Sequence, residues 1–254
     1  MTTETTSKQQ EKDELERPFS SLEVVRLYAM IILLYPVLLG AMLGLGAFAH
    51  SYPEYPTPWY GFRTSIGALT SVGILSMTLL LDCPRLLRQR MAKAFPKQKE
   101  SSTAERLFHK QSMVLFVIAL LGMGHDGSKR RDDFPHGVIW GAIVMYACAV
   151  LWIIWVMRTN KYAARIVVEQ KGQELISTGP YAVVRHPMYM GTVPLFLSLP
   201  LTVGSIWPVV PMFVCVLLIA YRTYDEEKFL VDTFGEEYQE YCKKVPSRMI
   251  PWMF

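Results

Sequence analysis

Residues 179–191 read GPYAVVRHPMYMG, and a run of 35 residues without charge follows from Pro187 to Tyr221, closed by Arg222 and the acidic triplet Asp225-Glu226-Glu227. At ~1.5 Å per residue a single helix of that length would reach about 52 Å, far beyond a hydrocarbon core of about 30 Å. The run therefore predicts a hairpin. Gly204-Ser205 and Trp207-Pro208 supply turn and helix-start chemistry at its midpoint, giving two short helices over roughly 187–203 and 206–221. Such a hairpin returns Glu226 to the side that holds His186. Placing Arg, His, Tyr and Gly within seven residues at a bilayer boundary costs desolvation energy that a purely structural segment has no reason to bear. The stretch Arg185–Gly191 is thus the candidate active site.

The rest of the chain fits a membrane protein. Hydrophobic residues make up 51% of the 254 against 19% charged, and the mean hydropathy is +0.21, too apolar for an ordinary soluble domain. Besides the last run, uncharged tracts cover Leu27–Ala49, Thr64–Leu81, Gln111–Gly124 and Gly137–Met157. A spanning helix needs roughly 17–25 apolar residues, so the first, second and fourth tracts each fit one span. The third is short, and reaches spanning length by extending back to Leu107 with His109 and Lys110 snorkelling to the interface. The expected fold class is all-α: a polytopic bundle of about six transmembrane helices, with a C-terminal helical hairpin and amphipathic tail helices.

Charge placement orients this bundle. Of the 26 Lys and Arg, 22 fall in the segments expected on one side, namely the N-terminal arm, Arg85–Lys110, Arg158–Arg185 and Arg222–Arg248. The positive-inside rule makes that side cytoplasmic, with both termini and the candidate site facing it. Lys129-Arg130-Arg131 runs against the pattern and is partly offset by Asp132 and Asp133. The net charge of +4 is modest and spread over loops, with no basic helix face, so nucleic acid is not an expected partner and membrane lipid is. Cys83, Cys148, Cys215 and Cys242 are scattered without a C-x-x-C pair and read as reduced thiols; the five histidines lack metal-ligand spacing, so no metal is expected.

Three regions follow. Residues 1–22 are polar and too poor in apolar groups to fold alone, which predicts a disordered cytoplasmic arm without the layout of a cleavable signal. Residues 23–157 carry four transmembrane helices and a basic loop over 82–111. Residues 158–254 form the core: a long loop from Arg158 to Val184, the hairpin, and a tail. In the tail DEEKFLVDTF is expected to begin a helix broken near Gly235, and EEYQEYCKKV to make a second amphipathic piece before Pro246, lying across the cytoplasmic mouth.

At the loop-to-helix junction, Pro187 suits a first helical turn and presents His186 at the helix N-terminus. Gly191 permits something bulky to approach the backbone, Arg185 can bind a carboxylate or phosphate, and Glu226 and Glu227 can accept from ribose hydroxyls or balance a cation. A ligand with a ring, a sugar, a carboxylate and a sulfonium, such as S-adenosyl-L-methionine, complements that set. Simpler readings exist for each residue: His186 as a cap, Tyr181 and Tyr189 as interfacial anchors, one glutamate as helix-start chemistry.

From about Asn160 to Pro251 the chain resembles the integral-membrane methyltransferases that include isoprenylcysteine carboxyl methyltransferase and phospholipid N-methyltransferases. GPY, RHPxYxG, the hairpin, the Arg-x-x-x-Glu-Glu element and FGEEYxxYxxxVP occur in register. The resemblance implies S-adenosyl-L-methionine as cofactor. It implies a wrapping loop contributing Gln170, Gln173, Glu174, Leu175 and Ile176, then Tyr181, then His186, Pro187, Met188, Tyr189 and Gly191, and across the hairpin Glu226 and Glu227. Arg222 matches the arginine facing the methyl acceptor and, with Glu226, is the expected catalytic pair. The acceptor is a lipophilic or amphiphilic molecule, foremost an isoprenylcysteine carboxylate, with a phospholipid amine or a small thiol as alternatives. From other classes, a membrane reductase using NADPH and a non-enzymatic scaffold remain open.

Overall fold

The computed structural model describes residues 17–34, 37, 40, 60–84, 87–88, 103–130, 134–160 and 174–252, and these contain helices and turns but no strand. Helix α1 spans Ser21–Ala29 and passes into a π-helical segment, Met30–Leu34; α2 spans Tyr60–Leu80, α3 Thr103–Arg130 and α4 His136–Thr159. A 3-10 turn at Gly179–Ala182 precedes α5 (Pro187–Thr202), α6 (Val209–Phe234) and α7 (Glu236–Lys244). Ser21 and Leu22, assigned above to the polar arm, already belong to α1, because Ser20 and Glu23 form a reciprocal capping box. Residues 1–16 of that arm lie outside the described residues, as does most of the first apolar tract.

Among the described residues, two helices are long and apolar enough to cross a membrane, Leu107–Asp126 within α3 and His136–Thr159; Thr64–Leu80 is a shorter apolar helix. The third tract thus gains its length at both ends, since Thr103–Lys110 joins α3 instead of forming a separate interfacial piece of the basic loop. α4 is apolar on all sides. Ile139, Ala142, Ala149 and Val156 are buried, while Val138, Trp140, Val144, Leu151 and Trp155 are exposed. A helix with that distribution needs an apolar surround on its outer face as well as its inner one.

The hairpin forms, with a wider turn than its sequence suggests. α5 ends at Thr202 and α6 begins at Val209. Gly204 takes φ +78°, a conformation that side chains disfavour, and the Ser205 N–H returns to the Pro200 carbonyl at 3.0 Å. The buried Asp126 carboxylate of α3 accepts from the Ser205 hydroxyl and the Ile206 N–H, each at 3.0 Å, so α3 pins the turn. At the other end α6 differs from expectation: DEEKFLVDTF does not start a new helix but continues the apolar one. No Gly or Pro separates Val214 from Phe234, and the break comes at Gly235 with φ +56°.

α4 and α5 pack along most of their length. Gly191 makes this possible: a Cβ there would fall 2.7 Å from Ile153 Cγ1 and 2.8 Å from Trp152 Cδ1. The Trp152 indole N–H donates to the Pro187 carbonyl at 2.7 Å and fixes where α5 starts. At the same end Arg158 ties α4 to α2 through Asp82, with Nη2 to Oδ2 at 2.6 Å.

Gly191→Ala is expected to lower stability by about 1–3 kcal/mol through overpacking of this seam. Gly67→Ala in α2, whose Cβ would meet nothing within 4 Å, is expected to leave the melting temperature unchanged or slightly higher. Thermal unfolding of both variants in detergent checks the contrast.

Candidate active site

The rise of the two hairpin arms sets the geometry. α5 and the stretch of α6 from Val209 to Glu226 each climb about 24–26 Å from the turn, so His186 and the Glu226-Glu227 pair arrive at one level. His186 Nδ1 lies 3.6 Å from Glu226 Oε2 and its Nε2 lies 3.4 Å from Glu227 Oε1. Neighbours on a helix point about 100° apart, so each glutamate meets its own partners. Glu226 Oε1 accepts from the Tyr189 hydroxyl at 2.5 Å and from Arg222 Nε at 2.9 Å. Glu227 accepts from Arg185 Nε at 2.7 Å on one oxygen and from Arg248 Nε at 2.9 Å on the other.

His186 caps α5 but is not presented at an open helix end. It is 7% exposed, because the tail folds over it: the Arg185 and His186 N–H groups donate to the Ser247 and Arg248 carbonyls at 3.0 and 2.8 Å. Arg185 is likewise turned inward. Its Nη1 donates to the Val245 and Pro246 carbonyls at 2.8 and 2.7 Å, and Glu227 takes its charge, so it holds the tail and is not available to an external carboxylate or phosphate. The aromatic pair His186 and Tyr189 stacks at 5.8 Å with an interplanar angle of 14°.

Burial by itself would push the Glu227 carboxyl up; the facing His186 imidazole and the Arg185 guanidinium overcome it and hold it at about 2, below its ordinary 4.5. Burial also disfavours the charged Arg185 guanidinium, but its bond to Glu227 wins and raises it. The Tyr238 and Tyr241 phenols are pushed well above their usual range, chiefly by burial, and stay neutral. Tyr241 donates to the Tyr181 carbonyl at 2.7 Å, and Asn160 Nδ2 donates to the Tyr181 hydroxyl at 2.9 Å, so GPY is clasped between the end of α4 and α7.

Of the residues singled out from sequence, His186, Tyr189, Arg222, Glu226 and Glu227 converge. Tyr181 lies on the docked turn, where it contacts Asn160 and Tyr241. Leu175 packs on the cluster of Tyr238, Tyr241 and Val245, Ile176 is half-buried, and Glu174 is exposed. Met188 packs against Leu80, Ile154 and Met157, Pro187 is buried, and Gly191 faces Trp152 and Ile153 of α4 instead of the carboxylates. Gln170 and Gln173 lie outside the described residues. Arg248, Asn160 and Trp152 were missed, since each acts across more than twenty residues of chain and carries no local pattern; Val245-Pro246 stood in the FGEEYxxYxxxVP motif without a stated reason.

Glu227 remains ionised in the folded protein down to about pH 2, while the unfolded chain binds its proton near 4.5. Its stabilisation is therefore complete above that value and is lost as the pH falls from 4.5 through 2. Melting curves in detergent should be insensitive to this group above pH ~5 and should fall below it. Glu227→Gln should lower the melting temperature at neutral pH and flatten the acid decline.

Residues 138–237 match the family model described as phospholipid methyltransferase. The match begins within α4, ahead of Asn160. Over 85 residues, 33% of this chain, the sequence is 33% identical to a Delta(14)-sterol reductase of Mus musculus. Over 88 residues, also 33% of the chain, it is 35% identical to a protein-S-isoprenylcysteine O-methyltransferase of Schizosaccharomyces pombe. Over 66 residues, 26% of the chain, it is 44% identical to a methanethiol S-methyltransferase of Pseudomonas deceptionensis. These stretches span 20%, 37% and 24% of the three relatives.

Proposed function

We propose, from the match of residues 138–237 to the family model described as phospholipid methyltransferase, that the protein is a membrane methyltransferase that uses S-adenosyl-L-methionine. The acceptor is a lipophilic or amphiphilic molecule, foremost one with an isoprenylcysteine-like carboxylate; a small thiol or a phospholipid amine is the alternative. The relatives named as an O- and an S-methyltransferase support the reaction class. The bundle spans the membrane through about six helices, the first apolar tract and α2–α6, with both termini and the site on the cytoplasmic face, as the charge bias favours.

The observation that carries this reading is the hydrogen-bonding capacity left over in the site. Among the described residues, the buried His186 Nε2 makes no well-formed hydrogen bond, its nearest carboxylate oxygen being Glu227 Oε1 at 3.4 Å, and its Nδ1 lies 3.6 Å from Glu226 Oε2. A buried imidazole nitrogen in that state calls for a further partner, and a bound ligand supplies one. A carboxylate oxygen beside an imidazole suits a ribose hydroxyl, an ammonium or a sulfonium, so these residues fit S-adenosyl-L-methionine. Gln170, Gln173, Glu174, Leu175, Ile176 and Tyr181 would complete the enclosure, with Pro187, Met188 and Gly191 setting the start and seat of α5.

When bound, the sulfonium supplies an already activated methyl group, so no covalent nucleophile is required of the protein. The residues position two molecules and exclude water. His186, Tyr189 and Glu226 hold the donor side. Arg222, beside Glu226 and facing α3, orients an anionic or polar acceptor head, and Glu227 locks the loop and tail around both.

A nicotinamide-dependent reductase is the second reading, favoured by the similarity to the sterol reductase. Purified protein in native lipid, incubated with labelled S-adenosyl-L-methionine, should transfer label to lipid, protein or a volatile product. Photocrosslinking to labelled NADPH in place of S-adenosyl-L-methionine would support the reductase instead. Glu226→Gln and His186→Ala are expected to lose cofactor binding in a membrane-inserted protein, and wild-type affinity in either would sink the assignment. Arg222→Ala is expected to keep cofactor binding and lose turnover.

A further inference from the structure

We propose that Phe108, on α3 and outside the matched segment 138–237, is the positioning residue that holds Arg222 at the acceptor side of the site; the acceptor role rests on the methyltransferase reading above. The Arg222 guanidinium carbon lies 4.8 Å from the centroid of the Phe108 ring, within cation–π distance, and the side chain is only 12% exposed. On its other side Arg222 Nε is bonded to Glu226 Oε1, so the guanidinium is held between a carboxylate of α6 and a ring of α3. Seven residues earlier on α6, the Cys215 thiol donates to the Ser112 carbonyl of α3 at 3.9 Å, a second contact along the same α3–α6 seam. Phe108 is itself braced by the ring of His109 at 5.5 Å.

The arrangement divides two tasks. Glu226 sets the direction of Arg222 from the donor side, and Phe108 sets how far the cation reaches toward an incoming acceptor head. A flat ring does this without adding a formal charge beside the guanidinium. α3 therefore takes part in acceptor selection although the family match does not include it.

Two measurements test this, using the full chain in native lipid. Modification of Arg222 by phenylglyoxal, read by peptide mass spectrometry, should run about fivefold faster in Phe108→Leu than in the wild type, the loss expected for one cation–π contact. Phe108→Tyr, which keeps the ring, should retain the wild-type rate. In methyl transfer to an S-prenylated cysteine with a free carboxylate, Phe108→Leu should raise the acceptor KM by about the same factor, with Phe108→Tyr restoring it and cofactor affinity unchanged in both. Equal phenylglyoxal rates in wild type and Phe108→Leu would overturn the proposal, as would an equal loss of cofactor affinity, which indicates a general packing role. If the wild type transfers no methyl to that acceptor, the acceptor reading fails, and the modification rates alone decide whether Phe108 holds Arg222.

Discussion

Glu226 and Glu227 are adjacent carboxylates about two turns before the end of a helix that begins as a purely apolar span, with side chains 15% and 12% exposed. Burying an unpaired carboxylate is prohibitive, and breaking a buried ion pair by removing one partner typically costs about 3–5 kcal/mol. The chain must therefore deliver cations and donors to this point from wherever it can. Arg222 comes from the preceding turn of the same helix, Tyr189 from the facing helix, Arg185 from the loop ahead of it, and Arg248 from the tail. Once those four are committed, the positions of α5, the loop and the tail are largely determined.

The helical packing lets this convergence happen at a single level. The hairpin works because its two arms are similar in rise and its turn is pinned by Asp126, so neither arm can slide by a helical turn without breaking the bonds to Ser205 and Ile206. α5 is further indexed by Gly191 against Trp152 and Ile153, and by the bond from the Trp152 indole to the Pro187 carbonyl. A shift of one turn is about 5.4 Å, which would take His186 out of reach of both glutamates. Packing far from the charges thus supports the electrostatics, and the charges in turn fix the tail.

The hairpin, the helical class and the convergence of His186, Tyr189, Arg222 and the two glutamates were legible because they rest on local signals: an uncharged run too long for one span, turn residues at its midpoint, and polar residues at its ends. The continuation of α6 through DEEKFLVDTF was misplaced because a change from apolar to charged composition looks like a helix boundary, whereas only a residue such as Gly235 ends one. In the sequence, Arg185 and Gly191 look open to a ligand for a related reason. Their residue types allow contact with a ligand, but whether a tail or a neighbouring helix already fills that space depends on partners sixty or forty residues away. Arg248 and Trp152 carry no periodicity or motif that would have singled them out.

The site is wider than the segment the family match covers. Val245 to Arg248 lie beyond residue 237 and Phe108 lies before residue 138, yet the former cover His186 and the latter touches Arg222. The matched part contains the groups that face one another across the hairpin, whose spacing is dictated by two helices of nearly equal rise and tolerates little change. The flanking groups meet those residues from outside the hairpin, through a ring and a short extended tail, and neither contact demands a fixed loop length. The relatives, similar over 66 to 88 residues, are named for three different reactions. A scaffold whose central spacing is rigid and whose flanks approach independently is one in which the central stretch persists while the chemistry at its edges changes, and Phe108 sits at such an edge.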